Sequence, residues 1–483
     1  MEVTKRLSEF VVNTSYKDIP EDIRETSKRI FLDSLGCALG GASLPSGKIV
    51  IETVKEMGGV PESTVIGGEL KISPMNAAYA NCKLSNLMDM DDVFWNSAHF
   101  SPIVIYPALA IAEKEDSSGQ EFVTALTLGL EVAARIAIAI GPLFDIIDGR
   151  VEYVSKGACG FGQHIFGGVA AASRLLGFDT KEIRQAMGIG GFYAPCAISP
   201  KTTNDLTMSK YALEWSAAGA VMANGLVRNG FEGPENILDD DLFAKAMGKH
   251  HYDPSPILKN LGTIWYGTTT SLKLYPSCRY NHHALDLLKE IIENNGLQPG
   301  EIEEVKVNGL GRLTMWPWTN QEPGNEFWGE FSLPYNLALI AFGIPSGPEW
   351  MNPVYLRDQK ILDFCRKVEI TTHPAMEDVL NQGFPAALQK RPTEVTVFAR
   401  GRTFKQYAET ARGDGWSKEA ALSDSELEDK FSVNASPLLP KEKIRRIVQL
   451  CLHLDKVSNL RELCELLIGR DLGRSRPCYP ILE

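Results

Sequence analysis

The stretch Gly167-Gly168-Val169-Ala170-Ala171-Ala172 consists almost entirely of small side chains. A second stretch of the same kind, Ala217-Ala218-Gly219-Ala220, follows later in the chain. Small side chains at a contact allow two helix axes to approach closely, because the distance between packed helices depends on the side chains between them. The two stretches therefore predict a tightly packed domain of many helices.

The region around these stretches has a helical pattern almost throughout. From residue 1 to about residue 261, apolar residues recur at steps of three and four, and Gly or Pro marks the breaks. The most apolar window, residues 125–147, contains Glu131 and Arg135 at helical spacing, so we expect a buried amphipathic helix there rather than a membrane span. The clearest predicted helices run over residues 23–39, 74–88, 103–115, 119–140 and 216–228.

The pattern changes beyond about residue 262, where polar and apolar residues begin to alternate as they do in half-buried strands. Helical stretches lie between the alternating ones, which indicates an α+β segment. The elements predicted in this part are strands at 303–307 and 394–398, helices at 282–294 and 335–342, a Gly-rich and acidic connector at 412–429, and a return of the helical period over 441–467.

These patterns predict a mainly α protein with an α+β part. A large all-helical domain is built from both chain ends, residues 1–263 and 413–483, because the last helices are expected to rejoin the first ones. A smaller α+β lid domain, residues 264–412, is then an insertion. A chain of 483 residues is long enough for two such domains.

Composition and charge exclude several classes of protein. The net charge of −12 argues against binding to nucleic acid or to an anionic membrane, because both need clustered Lys and Arg. The nine cysteines include no C-x-x-C pair, which indicates a reduced protein. Residues 1–19 mix charged with apolar residues and do not have the pattern of a secretory signal, so we expect a soluble, cytoplasmic protein.

The first candidate for chemistry is the acidic loop, residues 89–99, with the sequence D-M-D-D-V-F-W-N-S-A-H. Its carboxylates Asp89, Asp91 and Asp92 repel one another unless they are solvated or hydrogen-bonded, so at least one of them is expected to have a raised pKa. Such a carboxyl beside His99 suits general acid or base catalysis. The alternative is a solvated helix end with capping aspartates.

The second candidate is the lid motif, residues 273–283, with the sequence K-L-Y-P-S-C-R-Y-N-H-H. Lys273 and Arg279 could bind a carboxylate, and the N-terminus of the following helix adds free backbone amides. His282 and His283 cannot share one helix face, so we expect at most one of them in a site. The alternative is an exposed surface turn, where basic residues are common.

Weaker candidates are Lys210, which could neutralise a carboxylate, and His164 in a Gly-rich turn. Each is more often an ordinary structural residue than a functional one. No strand precedes this turn, so it does not predict a dinucleotide site. We expect no metal, because neither H-E-x-x-H nor a cysteine pair is present, although Mg²⁺ at the aspartates remains an alternative.

At this point the sequence resembles the MmgE/PrpD family, which includes 2-methylcitrate dehydratase, cis-aconitate decarboxylase and iminodisuccinate epimerase. The resemblance spans nearly the whole chain and is specific in the order and spacing of its motifs. It implies a helical domain with an α+β lid, no cofactor and a homodimer. The motifs that carry it lie at residues 32–38, 89–99 with 107–109, 170–177, 229–234, 273–282 and 331–335.

Carried over to this chain, the resemblance implies a site between the two domains. Asp89 and His99 match family active-site positions, and Lys273, Arg279 and His282 stand in the lid motif. The chain also departs from the decarboxylase pattern. Val93 replaces a threonine, Cys278 replaces a lid histidine, Gly157 or Ala158 replaces another histidine, and the family lysine falls near Met208, with Lys210 two positions away.

We therefore predict a hydro-lyase that dehydrates a small hydroxy-polycarboxylic acid such as 2-methylcitrate. A base, His99 or His282, removes the proton next to a carboxylate, and the aspartates act as acid or orienting groups. Lys273, Arg279, Lys210 and Tyr280 are expected to bind the substrate, and cations stabilise the developing enediolate.

Several alternatives to dehydration remain open. Decarboxylation of a cis-aconitate type of acid and epimerisation of an iminodisuccinate type of acid use the same fold, and Cys278 would suit an epimerase as a second acid. The chain could also be a non-catalytic carboxylate-binding relative, because expected histidines are missing. Asp89 to Asp92 spell D-x-D-D, the acid motif of some helical terpene cyclases, which product analysis with a prenyl diphosphate would detect.

Overall fold

The computed structural model describes residues 2–95, 98–141, 145–147, 150–152, 161–194, 207–208, 211–246, 252–382 and 389–469. Helices dominate these residues and strands are a minority, which confirms the predicted mainly α class with an α+β part. We call the two parts the helical domain and the lid. The domain boundaries at 263 and 412 remain a prediction.

The helical domain contains elements from both ends of the chain. Its helices are α1 (Val3–Asn13), α2 (Glu21–Ser43), α3 (Pro45–Met57), α4 (Pro74–Asn86), α5 (Ser101–Lys114), α6 (Gly119–Ile140), α7 (Ile165–Leu175), α8 (Thr180–Phe192), α9 (Leu213–Arg228), α10 (Leu242–Ala246), α11 (Ser255–Leu258), α17 (Asp424–Ala435), α18 (Lys441–Leu452) and α19 (Arg461–Leu466). Its short strands are β1 (Ser63–Thr64), β2 (Lys71–Ile72), β3 (Val93–Phe94), β4 (Asp145–Ile147) and β5 (Arg150–Glu152). Strand β6 (Thr270–Ser271) lies within the predicted lid range, near its start.

The small-residue stretch at residues 167–172 lies where helices pack closely. A Cβ atom on Gly167 of α7 would lie 2.6 Å from the carbonyl oxygen of Gly129 in α6. A Cβ atom on Gly168 would lie 2.4 Å from the carbonyl oxygen of Ile103 in α5. Only glycine permits these two backbone approaches, and α5, α6 and α7 therefore form the tightly packed centre that the sequence predicts.

The C-terminal helices return to the N-terminal ones through a buried ion pair. Lys430 of α17 donates to Asp33 of α2, with Nζ 2.6 Å from Oδ1, and both side chains are buried. A buried charge is tolerated when it is paired in this way. This contact links helices from the two ends of the chain, and their union in one domain stays a prediction.

The predicted acidic connector at 412–429 is in part helix. Ser423 caps α17 by accepting a hydrogen bond from the backbone amide of Glu426, whose carboxylate accepts one from the Ser423 amide in return. This capping box makes the acidic residues the first turn of a helix rather than a loop. The predicted helical run over 441–467 is also interrupted, because α18 ends at Leu452 and α19 begins at Arg461.

The lid is a four-stranded sheet with helices. The strands have the order β10-β9-β7-β8, in which β7 pairs in parallel with β8 and antiparallel with β9. The predicted strands correspond to β7 and β9, whereas β8 and β10 were not predicted from the sequence. The lid elements are α12 (His282–Asn295), β7 (Ile302–Gly309), α13 (Glu326–Gly329), α14 (Leu333–Ala341), α15 (Gln359–Cys365), β8 (Val368–Thr372), α16 (Met376–Asn381), β9 (Thr393–Ala399) and β10 (Arg402–Ala408).

By length and composition, α6 is the one helix in the described residues that could cross a membrane. Its most apolar window is 94% buried inside the protein. Arg135 and Glu131 form a fully buried ion pair on α6, with Nε 2.5 Å from Oε1. Burial of the helix and its charged pair confirm the expectation of a core helix.

Candidate active site between the helical domain and the lid

The acidic loop and the segment that leads into the lid motif pair with each other. Strand β3, inside the acidic loop, forms an antiparallel pair with β6, which ends two residues before Lys273. A turn of residues 411–414 completes this arrangement, since the Leu272 amide donates to the Gly413 carbonyl at 3.0 Å. We call β3, β6 and residues 411–414 the seam. It brings together the two motifs that the sequence predicts to meet.

Lys273 crosses the seam and holds Asp89. Its ammonium donates to the Asp89 carboxylate at 2.8 Å and to the Asp89 carbonyl at 2.6 Å, and both residues are buried. Burial alone would lower the pKa of Lys273, but Asp89 and Asp91 outweigh it and keep the ammonium charged, with a raised pKa. Asp89 has a φ angle of 47°, an uncommon conformation for a residue other than glycine, which the lysine stabilises through two bonds.

His99 is oriented by Asp91. The His99 Nδ1 atom lies 3.2 Å from Asp91 Oδ2, and Asn86 donates to the other carboxylate oxygen at 2.8 Å. Burial would raise the pKa of Asp91, but the charges of His99 and Lys273 and the Asn86 bond lower it below its usual value. An ionised Asp91 accepts a hydrogen bond from Nδ1–H, so in the neutral imidazole of His99 the lone pair lies on Nε2, which can act as a base.

An aromatic shell surrounds His99. The rings of Phe161 and Tyr211 lie 5.3 and 5.4 Å from the imidazole, and His164 stacks on Phe161 at 6.3 Å. His164 is therefore part of the wall around His99. The sequence alone had left open whether His164 is a structural or a functional residue. Such a wall removes water from the imidazole and strengthens the electrostatic interactions there.

Asp92 has a different environment from its two neighbours. Its carboxylate accepts hydrogen bonds from Ser101 and from Thr270 of β6, both at 2.6 Å. Burial raises the pKa of Asp92 to about 6, although the two hydroxyl donors oppose the shift. This is the raised carboxyl that the crowded sequence predicts, and the Thr270 bond ties it to the seam.

Replacing Asp92 with Asn should change how stability depends on pH. An aspartate in an unfolded chain titrates at about 3.9, whereas Asp92 in the folded protein titrates at about 6. The folded state therefore holds a proton that the unfolded state has lost, and the wild type loses stability between these values as the pH rises. The free energy of unfolding of Asp92→Asn, relative to wild type, should rise by about 2–3 kcal/mol from pH 4 to pH 6.5. Urea titrations across this range, with the exposed Asp378→Asn as control, measure it, and a constant difference would contradict it.

Arg279 of the lid motif forms its hydrogen bonds with other residues of the protein. Its guanidinium donates to Asp414 at 2.6 and 3.2 Å and to the carbonyls of Ala411 and Arg412 at 3.1 and 2.9 Å. It also lies 3.0 Å from His282 Nδ1. Arg279 therefore fastens the lid motif to the seam, which differs from the carboxylate clamp that the sequence suggested.

The two lid histidines are both buried. That at most one of them points into a site stays a prediction. His282 accepts from Arg279 through Nδ1, and its Nε2 lies 3.3 Å from the carbonyl of Ser277. Burial and the Arg279 charge hold the pKa of His282 well below its usual value. Since both of its nitrogens are engaged, His99 is the better placed of the two predicted bases.

Cys278 and Tyr280 are two further predicted residues of the lid motif. Cys278 is partly exposed, and desolvation together with the Asp89 charge raises the pKa of its thiol to about 11. The group is therefore a thiol at neutral pH and can donate a proton. The Tyr280 ring lies under the guanidinium of Arg391, 5.1 Å from its central carbon.

Some predicted positions lie outside the described residues. They are Lys210 and the two positions, Gly157 and Ala158, at which a family histidine is replaced. The role of Lys210 in binding a carboxylate remains a prediction.

The residues that fix the acidic loop and the seam in place were not predicted from the sequence. Lys430 donates to the Met90 carbonyl at 3.0 Å as well as to Asp33, and so fixes the acidic loop to α2 and α17. Asp33 gave a signal, since it is a charged residue inside an apolar helical run. Asp414 gave a weaker one, between Gly413 and Gly415 in the connector.

Asp89, Asp91 and His99 could also hold a metal ion, because their ligand atoms lie within 4.8 Å of one another. Such a set of oxygen and nitrogen donors fits a divalent cation in principle. The Lys273 ammonium already lies against Asp89, however, and supplies the positive charge that a cation would bring. This arrangement favours proton transfer by side chains.

Comparisons with known proteins point to one family along nearly the whole chain. The model of the MmgE/PrpD N-terminal domain matches residues 5–254, and that of the MmgE/PrpD C-terminal domain matches residues 275–454. A cis-aconitate decarboxylase of Aspergillus terreus is 22% identical over 96% of this chain and 96% of its own length. The cis-aconitate decarboxylases of Homo sapiens and Mus musculus are 23% and 24% identical over 97% of this chain, which covers 95% and 93% of them.

Proposed function

The chain belongs to the MmgE/PrpD family, and on that premise we propose that it is a cofactor-independent lyase that acts by acid and base catalysis on a small polycarboxylic acid. The observation that carries the proposal is the pair of Asp91 and His99, which lies beside Lys273 and Asp89 at the seam. The relatives, which are lyases, support an enzymatic role.

The reaction we assign first is dehydration of a hydroxy-polycarboxylic acid such as 2-methylcitrate. His99 Nε2 removes a proton from the carbon next to a carboxylate, and the electron pair of the broken C–H bond forms an enediolate. The enediolate collapses to a carbon–carbon double bond as the β-hydroxyl leaves. The Cys278 thiol protonates this hydroxyl, so that water departs, and the proton held by His99 returns to the thiolate through solvent.

Charge at the seam supports the enediolate step. The ammonium of Lys273 stays protonated inside the protein and lies beside Asp89 and Asp91. A fixed cation in a water-poor site stabilises a developing negative charge more strongly than the same cation in water. Asp91 is a positioning residue, because it contacts the imidazole and fixes which nitrogen carries the proton.

Decarboxylation is the second candidate, and the names of the relatives favour it. In that reaction the bond to a carboxylate breaks, CO₂ leaves, and an acid protonates the remaining carbanion. Cys278 or a protonated His99 could supply that proton. Val93 and Cys278, which replace a threonine and a histidine of the decarboxylase pattern, are the reason that we rank dehydration first.

Proton NMR in D₂O against a panel of di- and tricarboxylic acids tests the proposal. The panel includes 2-methylcitrate, citrate, cis-aconitate and iminodisuccinate, and the purified protein is dialysed against a chelator first. Deuterium at a substrate carbon together with an alkene product supports dehydration, and CO₂ release supports decarboxylation. Binding without turnover would show a non-catalytic relative and would refute the enzymatic proposal.

Replacing Cys278 with Ala separates a lyase from an epimerase. An epimerase needs a second proton donor on the opposite face of the carbon, so Cys278→Ala should abolish inversion while one-sided deuterium exchange continues. In the lyase that we propose, Cys278→Ala should lower product formation by about 100-fold or more. Product NMR measures both, and the buried Cys451→Ala serves as the control. Wild-type rates of product formation in Cys278→Ala would remove the thiol from the mechanism.

The number of subunits in the protein can also be measured directly. We propose a homodimer, as the family resemblance implies, with a polycarboxylate as the small-molecule partner. Light scattering of the purified protein gives the mass in solution.

A further inference from the structure

We propose that Arg391 anchors a carboxylate of the substrate, at a position remote from the reacting carbon. The inference rests on the proposed function and extends it, because it requires a substrate with at least two carboxylates. Arg391 precedes β9 in the lid. It is a buried cation that no motif of the sequence singled out.

The backbone of Arg391 is fixed, so its side chain reaches out from a rigid position. Its amide donates to the Glu409 carbonyl at 2.9 Å, and its carbonyl accepts from the Thr393 hydroxyl at 2.9 Å. The residue also precedes Pro392, which favours an extended backbone. A group held in this way loses little freedom when a ligand binds to it.

The guanidinium of Arg391 spans the space between the two motifs. It lies 5.1 Å from the centre of the Tyr280 ring in the lid motif. On the other side, Nη2 lies 3.5 Å from the carbonyl of Trp95 in the acidic loop, which is the outer limit of a hydrogen bond. Arg391 therefore lies at the junction where a molecule held between the acidic loop and the lid motif would bind.

The donors of Arg391 are poorly satisfied for a group so deeply buried. Only 6% of the residue is exposed, and Nη1 has no hydrogen-bond partner among the described residues. A buried charged donor without an acceptor is costly, and proteins rarely keep one without a reason. A carboxylate from a ligand would supply that acceptor, and it matches the planar fork of arginine.

The other cations at the seam are already paired. Lys273 bonds to Asp89, and the guanidinium of Arg279 bonds to Asp414. In the part of the chain that the structure describes, Arg391 forms no ion pair of its own. Arg412 of the seam pairs with Glu426. Among the described residues, Arg391 is therefore the cation at the seam that remains for an anionic ligand.

The test compares Arg391→Met with wild type, using kinetics on the substrate that the D₂O screen identifies and calorimetry with tricarballylate, a tricarboxylate with no hydroxyl to eliminate. Loss of a charge-assisted hydrogen bond should weaken tricarballylate binding and raise KM by about 10- to 100-fold, with a smaller change in kcat. Arg400→Met, which removes an exposed arginine near the same strand, is the matched control and should bind as wild type does.

A second variant covers the case in which Arg391→Met does not fold. Arg391→Lys keeps the charge but loses the planar fork, so it should fold and still bind at least about fivefold more weakly. Wild-type affinity in both variants, with turnover intact, would overturn the role of Arg391 and leave the proposed function standing. A wild-type protein that neither binds nor converts any member of the panel would overturn both.

Discussion

Replacing His99 with Asn lowers turnover by at least ~100-fold in our expectation, which is the usual size of the effect when an acid–base group is lost. Asn is close to imidazole in its polar atoms but cannot accept a proton at neutral pH. It can still bond to Asp91, so the loop should keep its shape. Steady-state kinetics on the identified substrate measure the loss, and calorimetry should show that tricarballylate still binds.

Replacing Asp91, which bonds to His99, gives a second variant to compare with His99→Asn. Asp91→Asn removes the carboxylate that orients the imidazole, so kcat should fall. The acidic limb of the pH–rate profile should also move to lower pH. A merely structural effect would lower the rate at every pH without moving that limb. The exposed His453→Asn, at the end of α18, is the control and should behave as wild type. Near-normal turnover in His99→Asn would remove His99 from the mechanism.

Replacing Lys273 with Met should reduce the free energy of unfolding by about 3–5 kcal/mol. The Lys273 side chain is 1% exposed, and its ammonium makes both of its bonds to Asp89, whose conformation is unusual. Removing it leaves a buried carboxylate without a counter-charge, which is the costly half of a broken ion pair. Urea unfolding at neutral pH measures the change.

A double-mutant cycle identifies the cause of this loss. Asp89→Asn tolerates the left-handed backbone and removes the charge, so the double variant should recover part of the stability that Lys273→Met loses. Lys289→Met, which breaks an exposed pair with Glu293, should cost at most about 1 kcal/mol. If Lys273→Met matches this control, the seam does not depend on the ion pair.

The lid is fastened to the helical domain by bonds that also organise the candidate site. Thr270 bonds to Asp92, Ser271 bonds to Asp414 at 2.7 Å, and Arg279 bonds to Asp414 as well. Gly413, with a φ of 92°, lies so close to the Leu272 carbonyl that a Cβ atom would be 1.9 Å from it. The groups that join the domains and the groups proposed for chemistry therefore belong to one network.

The sequence by itself determined the local structure of this protein. The bounds of α6 follow from its periodicity, with Ser118 as a capping residue at its start and Gly141 at its end. The alternation over 394–398 gave β9, and three crowded aspartates indicated a raised carboxyl, which is Asp92. Periodicity, capping and crowding depend on residues that are neighbours in the chain, so a linear reading can find them.

Only the tertiary structure decided which charges pair. Lys430 meets Asp33, Arg279 meets Asp414, and Arg391 forms no ion pair among the described residues, although the sequence offers each cation many acids. Packing also engaged both nitrogens of His282, and it placed Nδ1 of His99 against Asp91. Partners far apart in the chain are selected by packing and burial, because the strength of a charge interaction depends on distance and on exclusion of water, and neither is written in the order of the residues.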